Sequence, residues 1–207
     1  MADSDLSAAV LVGGQSRRMG ENKALLRLEP GGPTVIETVV QKLRAVAGDI
    51  MLAGCDPEPY AFLGLPHIPD VEPGIGALGG VHSALTTMTT PHVLIVACDM
   101  PFLNADLLRY MAAQPRDYDA LVPVFDRPQP LHAIYAKMSL PLIERSIQAG
   151  DLRGTGWLAQ ANVRAIDRET MRRYDPDLLS CFNMNTPADV AHARRIATAS
   201  KGSIPGA

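Results

Sequence analysis

The sequence predicts an α/β protein, a three-layer α/β/α sandwich built on a Rossmann-like, mostly parallel sheet. Three observations carry that expectation. Apolar runs of strand length alternate with amphipathic runs of helix length from the start of the chain, the pattern of a sheet covered on both faces. The runs at Ala8 to Val12 and Val93 to Cys98 are apolar almost throughout, which places them centrally. Glycine-rich or acidic loops follow directly after such runs, where an open α/β sheet binds its ligands.

A chain of 207 residues with 47% hydrophobic content can bury an ordinary core. It is read as one domain over residues 1–200, with 201–207 as a flexible tail. A net charge of -3 gives no basic field, which argues against a nucleic-acid partner. The acidic start Met1-Ala2-Asp3-Ser4-Asp5 is not a signal peptide, and no apolar run has the length of a membrane span. A cytoplasmic, membrane-free protein is expected. Cys55, Cys98 and Cys181 lack the paired spacing of a zinc site or a disulfide framework.

After the first strand and its glycines come Ala24 to Leu28 and a turn at Pro30-Gly31-Gly32-Pro33. Thr34 and Glu37 are spaced as a capping box. Ile36, Val39, Val40, Leu43, Val46 and Ala47 then share one helical face, and Gly48 is placed to end that helix. Ile50 to Ala53 reads as a second strand, and the stretch to Pro69 is broken by prolines. Asp70 and the glycines of Gly74 to Gly80 lead into a helix through Met88. The strand Val93 to Cys98 delivers Asp99-Met100-Pro101, and Asn104 caps the helix of Leu107, Leu108 and Met111. Strands follow at Ala120 to Val124 and Leu131 to Ala136, then a helix from Ser139 closed by Gly150. A loop at Asp151 to Gly156, a short helix and the strand Val163 to Ile166 come next. Thr186 and Pro187 open the last helix as N-cap and first helical residue.

The chemistry begins where the first strand stops. Gly13 and Gly14 let a backbone turn tightly and approach a ligand, and Arg17, Arg18 and Lys23 supply cations close behind. Bare N–H groups with such cations suit a polyphosphate. This is not a P-loop: Lys23 is not preceded by glycine and is followed by Ala24, so no hydroxyl is placed for magnesium. Lys23 is expected at the phosphates, with Arg18 clamping the triphosphate or the leaving pyrophosphate.

Asp99, at the end of a buried strand, is the sharpest single carboxylate. Such a group is costly unless it is paired or bound to a cation, and Mg²⁺ takes one or two carboxylates with phosphates and waters. A capping aspartate in the Asp-Met-Pro corner is the alternative. Asn183 and Asn185 flank Met184 so that one of them faces a given pocket, either completing a metal shell or holding a substrate phosphate. Gly74-Ile75-Gly76-Ala77-Leu78-Gly79 matches the dinucleotide pattern, with Asp99 downstream as its acid. Pro66, Pro69 and Pro73 interrupt the strand that pattern needs. His82 and His132 have no adjacent nucleophile and are read as structural, and Trp157 as packing. Arg153, in its glycine-rich loop, is a candidate contact for an anionic substrate.

Leu11 to Lys23 matches L-x-G-G-x-S-x-R-M-G-x-x-K and resembles the nucleotidyltransferase signature. The double glycine and Asn183-Met184-Asn185-Thr186-Pro187 resemble, within that superfamily, the molybdenum cofactor guanylyltransferases. The likeness spans nearly the whole chain and takes in Asp70 with Gly74 to Gly80, Cys98 to Pro101 and Pro130 to Tyr135. It implies a single nucleotidyltransferase domain that moves GMP from GTP to the terminal phosphate of molybdopterin and releases pyrophosphate. Leu11, Val12, Gly13 and Gly14 would meet the nucleotide, as would Asp70. Lys23 would meet its phosphates, Asp99 with Asn185 would hold Mg²⁺, and Asn183 and Arg153 would face the acceptor. Proteins that deliver or receive the cofactor are implied partners. One departure stands out: Cys55 falls where the family often has an asparagine at the nucleotide, and a thiol is a poor substitute for an amide. A sister enzyme using CTP, or an NTP with a sugar phosphate, and a non-catalytic nucleotide-binding module are the other readings.

Overall fold

The opening apolar run forms the axis of the sheet. In the computed structural model, which describes residues 5–13, 22–54, 56–71 and 74–201, β1 (Leu6–Val12) is buried at every position. It lies between β2 (Ile50–Gly54) and β4 (His92–Ala97), parallel to both. With β3 (His67–Ile68), β5 (Ala120–Pro123), β6 (His132–Ala136) and β7 (Val163–Ile166), the strand order is β3-β2-β1-β4-β6-β5-β7. β6 runs antiparallel to β4 and β5, and the remaining pairs are parallel. The start of β6 therefore lies beside the carboxyl end of β4, with His132 opposite Val96.

Strand alternation divides the core into two layers. Ala8, Val10 and Val12 of β1 and Leu94 and Val96 of β4 face α1 (Val35–Leu43), α3 (Ala105–Ala112) and α5 (Arg168–Tyr174). Ala9 and Leu11, with Val93 and Ile95, face α2 (Ala77–Thr87), α4 (Leu140–Gln148) and Trp157. A period of two on a sheet buried on both sides produces this division. α6 (Pro187–Lys201) packs Val190 and Ala193 with Val35 and Met184 in a small third cluster. Among the described residues, no helix is long and apolar enough to cross a membrane.

The expected capping devices are present. Thr34 and Glu37 form the capping box of α1, and Asn104 accepts from the N–H groups of Asp106 and Leu107. Gly150 stands just past α4 with φ +74°. Other expectations need correction. α1 ends at Leu43 with Arg44 as its cap, so Gly48 is not its terminator; its N–H bonds the carbonyl of Leu6 instead. Ser139 precedes α4, but its hydroxyl turns back to the Ala136 carbonyl rather than capping. β4 stops at Ala97, leaving Cys98 beyond the strand. The proline-broken stretch yields a two-residue edge strand, β3, a position where proline is tolerated.

Gly54 fixes how closely β1 and β2 converge at their carboxyl ends. A Cβ there would fall 1.9 Å from the Val12 carbonyl oxygen, a separation no side chain can occupy. The close approach brings the end of β2 against the backbone of Val12 and Gly13.

Candidate active site

The carboxyl ends of the parallel strands β1, β3 and β4 lie at one end of the sheet, the usual ligand edge of such folds. Leu11 and Val12 are buried and Gly13 emerges exposed. The Leu11 carbonyl accepts from the Cys98 N–H at 3.3 Å, tying the entrance of the first loop to the approach of Asp99. Gly14, Arg18 and Cys55 lie outside the described residues.

Lys23 opens a single 3-10 turn, Lys23–Leu25, which is capped by the Asn22 side chain. Asn22 also donates to the Tyr60 hydroxyl at 3.0 Å, anchoring the turn to the segment after β2. The Lys23 side chain is only 9% exposed, and its ammonium donates to the backbone carbonyl of Asn185. The hydrogen-bond acceptor of this nearly buried lysine is thus a neutral oxygen rather than a carboxylate.

Asp99 lies within electrostatic reach of that ammonium. Burial raises its carboxyl pKa above the ordinary range, opposed by a hydrogen bond from its own backbone and by the Lys23 charge. Its carbonyl accepts from the Met184 N–H at 3.1 Å. The two residues between Lys23 and Asp99 in this arrangement, Met184 and Asn185, thus bind one of them each through their backbones. The residue before Asp99, Cys98, is no nucleophile: burial first, and then Asp99, push its thiol up to about 12.

The Asn185–Thr186 corner is itself pinned. One Asp189 carboxylate oxygen accepts from the Asn185 N–H, the Thr186 N–H and the Thr186 hydroxyl, at 2.9, 2.7 and 2.9 Å. Burial acts to raise the Asp189 pKa, yet these hydrogen bonds and Lys23 together hold it below the usual value. Asp189 escaped the sequence reading, although Thr-x-x-Asp at a helix start is a legible capping signal. Asn183 is half-buried, and its amide donates at 3.5 Å to the Cys181 carbonyl.

Asp70 is half-buried just past β3, and the following N–H, of Val71, donates to the buried Ser83 hydroxyl of α2 at 2.9 Å. α2 begins only after Gly76, whose φ of +67° and ψ of -148° belong to glycine. The glycine run does not open from a central strand, so the dinucleotide arrangement is not formed. Arg153 stands apart, in the loop after α4, paired with Asp151.

One carboxylate fits a particular kind of metal site. Among the described residues, no group of three or more His, Cys, Asp or Glu side chains could cage an ion. A single half-buried carboxyl suits a hard divalent cation that draws its other ligands from phosphates and water.

A mostly parallel sheet with a shielded lysine and a half-buried aspartate at the carboxyl end of its central strands has the arrangement of a nucleotidyltransferase. The MobA-like NTP transferase domain model matches residues 8–165, and the chain belongs to that family. It is 37% identical to a protein of Pelotomaculum thermopropionicum named "Probable molybdenum cofactor guanylyltransferase", over 94% of this chain and 95% of that one. A protein of the same name from Carboxydothermus hydrogenoformans is 37% identical over 89% of this chain and 93% of its own length. The crystal structure of molybdopterin-guanine dinucleotide biosynthesis protein A from Archaeoglobus fulgidus superposes with a TM-score of 0.79 at 32% identity, covering 93% of this chain and 99% of that one.

Proposed function

We propose that this enzyme transfers GMP from GTP to the terminal phosphate of molybdopterin and releases pyrophosphate. An oxygen of the acceptor phosphate attacks the α-phosphorus of GTP in line. The bond from that phosphorus to the α–β bridging oxygen breaks, and pyrophosphate carries the electron pair away. No covalent intermediate on the chain is required, and catalysis is positioning with charge neutralisation.

The observation that carries this reading is the shared corner. Lys23 and Asp99 act on one another electrostatically at the end of the central strands and are joined through Met184 and Asn185. Lys23 exchanges the Asn185 carbonyl for phosphate oxygens, and Arg18 assists at the leaving pyrophosphate. The backbones of Leu11, Val12, Gly13 and Gly14 and the Asp70 carboxylate receive the nucleotide. Mg²⁺, held by Asp99 with the Asn185 amide as a second candidate ligand, would neutralise charge on the triphosphate. Asn183 and Arg153 face the acceptor. Residues 1–200 act as one domain in the cytoplasm, without membrane or nucleic acid, alongside proteins that supply or collect the cofactor.

The test is a panel of GTP, CTP, ATP and UTP with pyrophosphate detection, with and without a molybdopterin-containing acceptor. GTP-dependent release that needs the acceptor is expected. Release with CTP in place of GTP would transfer the assignment to the sister activity that Cys55 leaves open. Tight triphosphate binding without release under any acceptor would make the chain a binding module.

A further inference from the structure

The turn that carries Asp99 is fastened along its length to a second segment. Asp99 accepts at its carbonyl from the Met184 N–H at 3.1 Å. Phe102 packs on Phe182 with ring centroids 5.8 Å apart. The Asn104 N–H donates to the Ser180 hydroxyl at 2.9 Å. As one segment advances from 99 to 104 the other retreats from 184 to 180, so the two run antiparallel and are joined at both ends.

The Ser180 end is the more deeply set. Ser180 has no exposed surface, and Asp175 is 5% exposed. The Ser180 N–H donates to the Asp175 carboxylate at 2.8 Å, and the Leu178 N–H donates to the Asp175 carbonyl at 2.9 Å. This closed turn places Leu178 at φ +56°, the one non-glycine residue with positive φ among those described. A leucine occupies that region only when its surroundings over-determine it. Burial first, and then the Asp175 charge, also push the neighbouring Cys181 thiol up to about 12.

We propose that Ser180 is a positioning residue for the Asp99–Lys23 corner, with Asp175 holding Ser180 in place. The hydroxyl fixes one end of the Asp99 turn against the segment whose other end touches Asp99 through Met184 and Lys23 through Asn185. Removing it leaves the half-buried Asn104 N–H without its Ser180 acceptor and frees the far end of the turn. The inference rests on the proposed function only for the roles given to Asp99 and Lys23.

The experiment compares the full-length wild type with Ser180→Ala, Asp175→Asn and Ser139→Ala. The last removes a buried hydroxyl on the other side of the sheet, bonded to the Ala136 carbonyl. Three quantities are read: amide exchange of peptides covering 99–104 and 182–186, Mn²⁺ binding by electron paramagnetic resonance in the presence of GTP, and kcat at saturating GTP. Ser180→Ala is expected to speed exchange in both segments, raise half-saturating Mn²⁺ about fivefold and lower kcat about tenfold or more. Asp175→Asn keeps an oxygen acceptor for the Ser180 N–H and should stay near wild type, as should Ser139→Ala. If Ser180→Ala does not fold, Ser180→Cys keeps the volume with a weaker acceptor and reads the same three quantities.

Wild-type Mn²⁺ binding and kcat in Ser180→Ala would overturn the proposal, as would a wild type that binds no Mn²⁺ with GTP. A wild type that binds Mn²⁺ but releases no pyrophosphate with any nucleotide would instead sink the functional reading. The Mn²⁺ and exchange comparisons would then decide the positioning role alone.

Discussion

Two places at the same end of the sheet put a cation near a carboxylate, and they treat it in opposite ways. In the Asp151–Arg153 loop the guanidinium grips the carboxylate with two bonds of 2.7 Å. Those bonds hold the Asp151 pKa down at about 2, and the Arg153 side chain is 78% exposed. In the other place, Lys23 is shielded and bound to a neutral carbonyl, while Asp99 is half-buried with its pKa raised by desolvation. The first pair is internally complete. In the second, the ammonium is held by a neutral oxygen and the carboxyl is desolvated, at a cost in stability, and perturbed groups of that kind gather at functional sites.

The sharpest break of this contrast is Asp99→Asn. Turnover should fall about a thousandfold or more, the scale of losing a principal electrostatic group. The metal-free protein should become more stable above the ordinary carboxylate pKa. The sign follows from linkage: with the folded pKa raised, the unfolded chain releases its proton first as pH rises, so the wild type loses stability through that window. A melting series against pH reads the gain, and pyrophosphate release reads the loss. A variant that lost both activity and stability would make Asp99 a structural aspartate. The next effect is Lys23→Ala, expected to raise the KM for GTP at least tenfold. Unchanged GTP affinity would remove Lys23 from the phosphates.

Much of this corner was legible in the chain because it is local. The apolar run to Val12, Lys23 behind its glycines, and Asp99 behind its strand each announce themselves by neighbours in sequence. The capping pairs at Thr34 and Asn104 are local for the same reason. What the chain could not disclose is long-range. The Lys23 bond to the Asn185 carbonyl joins residues far apart in sequence, and no spacing rule predicts a backbone acceptor there. Ser180 and Asp175 are ordinary residues until the fold buries them against the Asn104 N–H. The reversal of β6 between two parallel neighbours is likewise decided by tertiary packing.

His132 sharpens the comparison from a third direction, because it lies beside the end of β4 and is buried without any charge. It has no exposed surface, and among the described residues neither ring nitrogen has a hydrogen-bond partner. Burial lowers its pKa from 6.5 to about 4. The unfolded chain then takes up the proton first as pH falls, so stability is complete above about 6.5 and drains away toward 4. The full loss is about 3 kcal/mol at 1.36 kcal/mol per pKa unit. His132→Leu should flatten the dependence of unfolding on pH in that window while leaving the KM for GTP near wild type. A variant with the same acid sensitivity as the wild type would locate that sensitivity elsewhere.

The smallest effect is expected at Arg153, and the reason is its partner. For Arg153 to meet an acceptor phosphate it must leave Asp151, exchanging one bidentate anion for another in a solvated loop. Little is gained by that exchange, so Arg153→Ala should raise the KM for the acceptor about threefold, with kcat and the KM for GTP unchanged. Asp151→Asn tests the same logic from the other side. It frees the guanidinium without deleting it, and the acceptor KM should then fall. If both substitutions leave the acceptor KM alone, the pair is only a clasp on the loop after α4. The acceptor would then be held from the Asn183 side, beside the Met184–Asn185 link between Asp99 and Lys23.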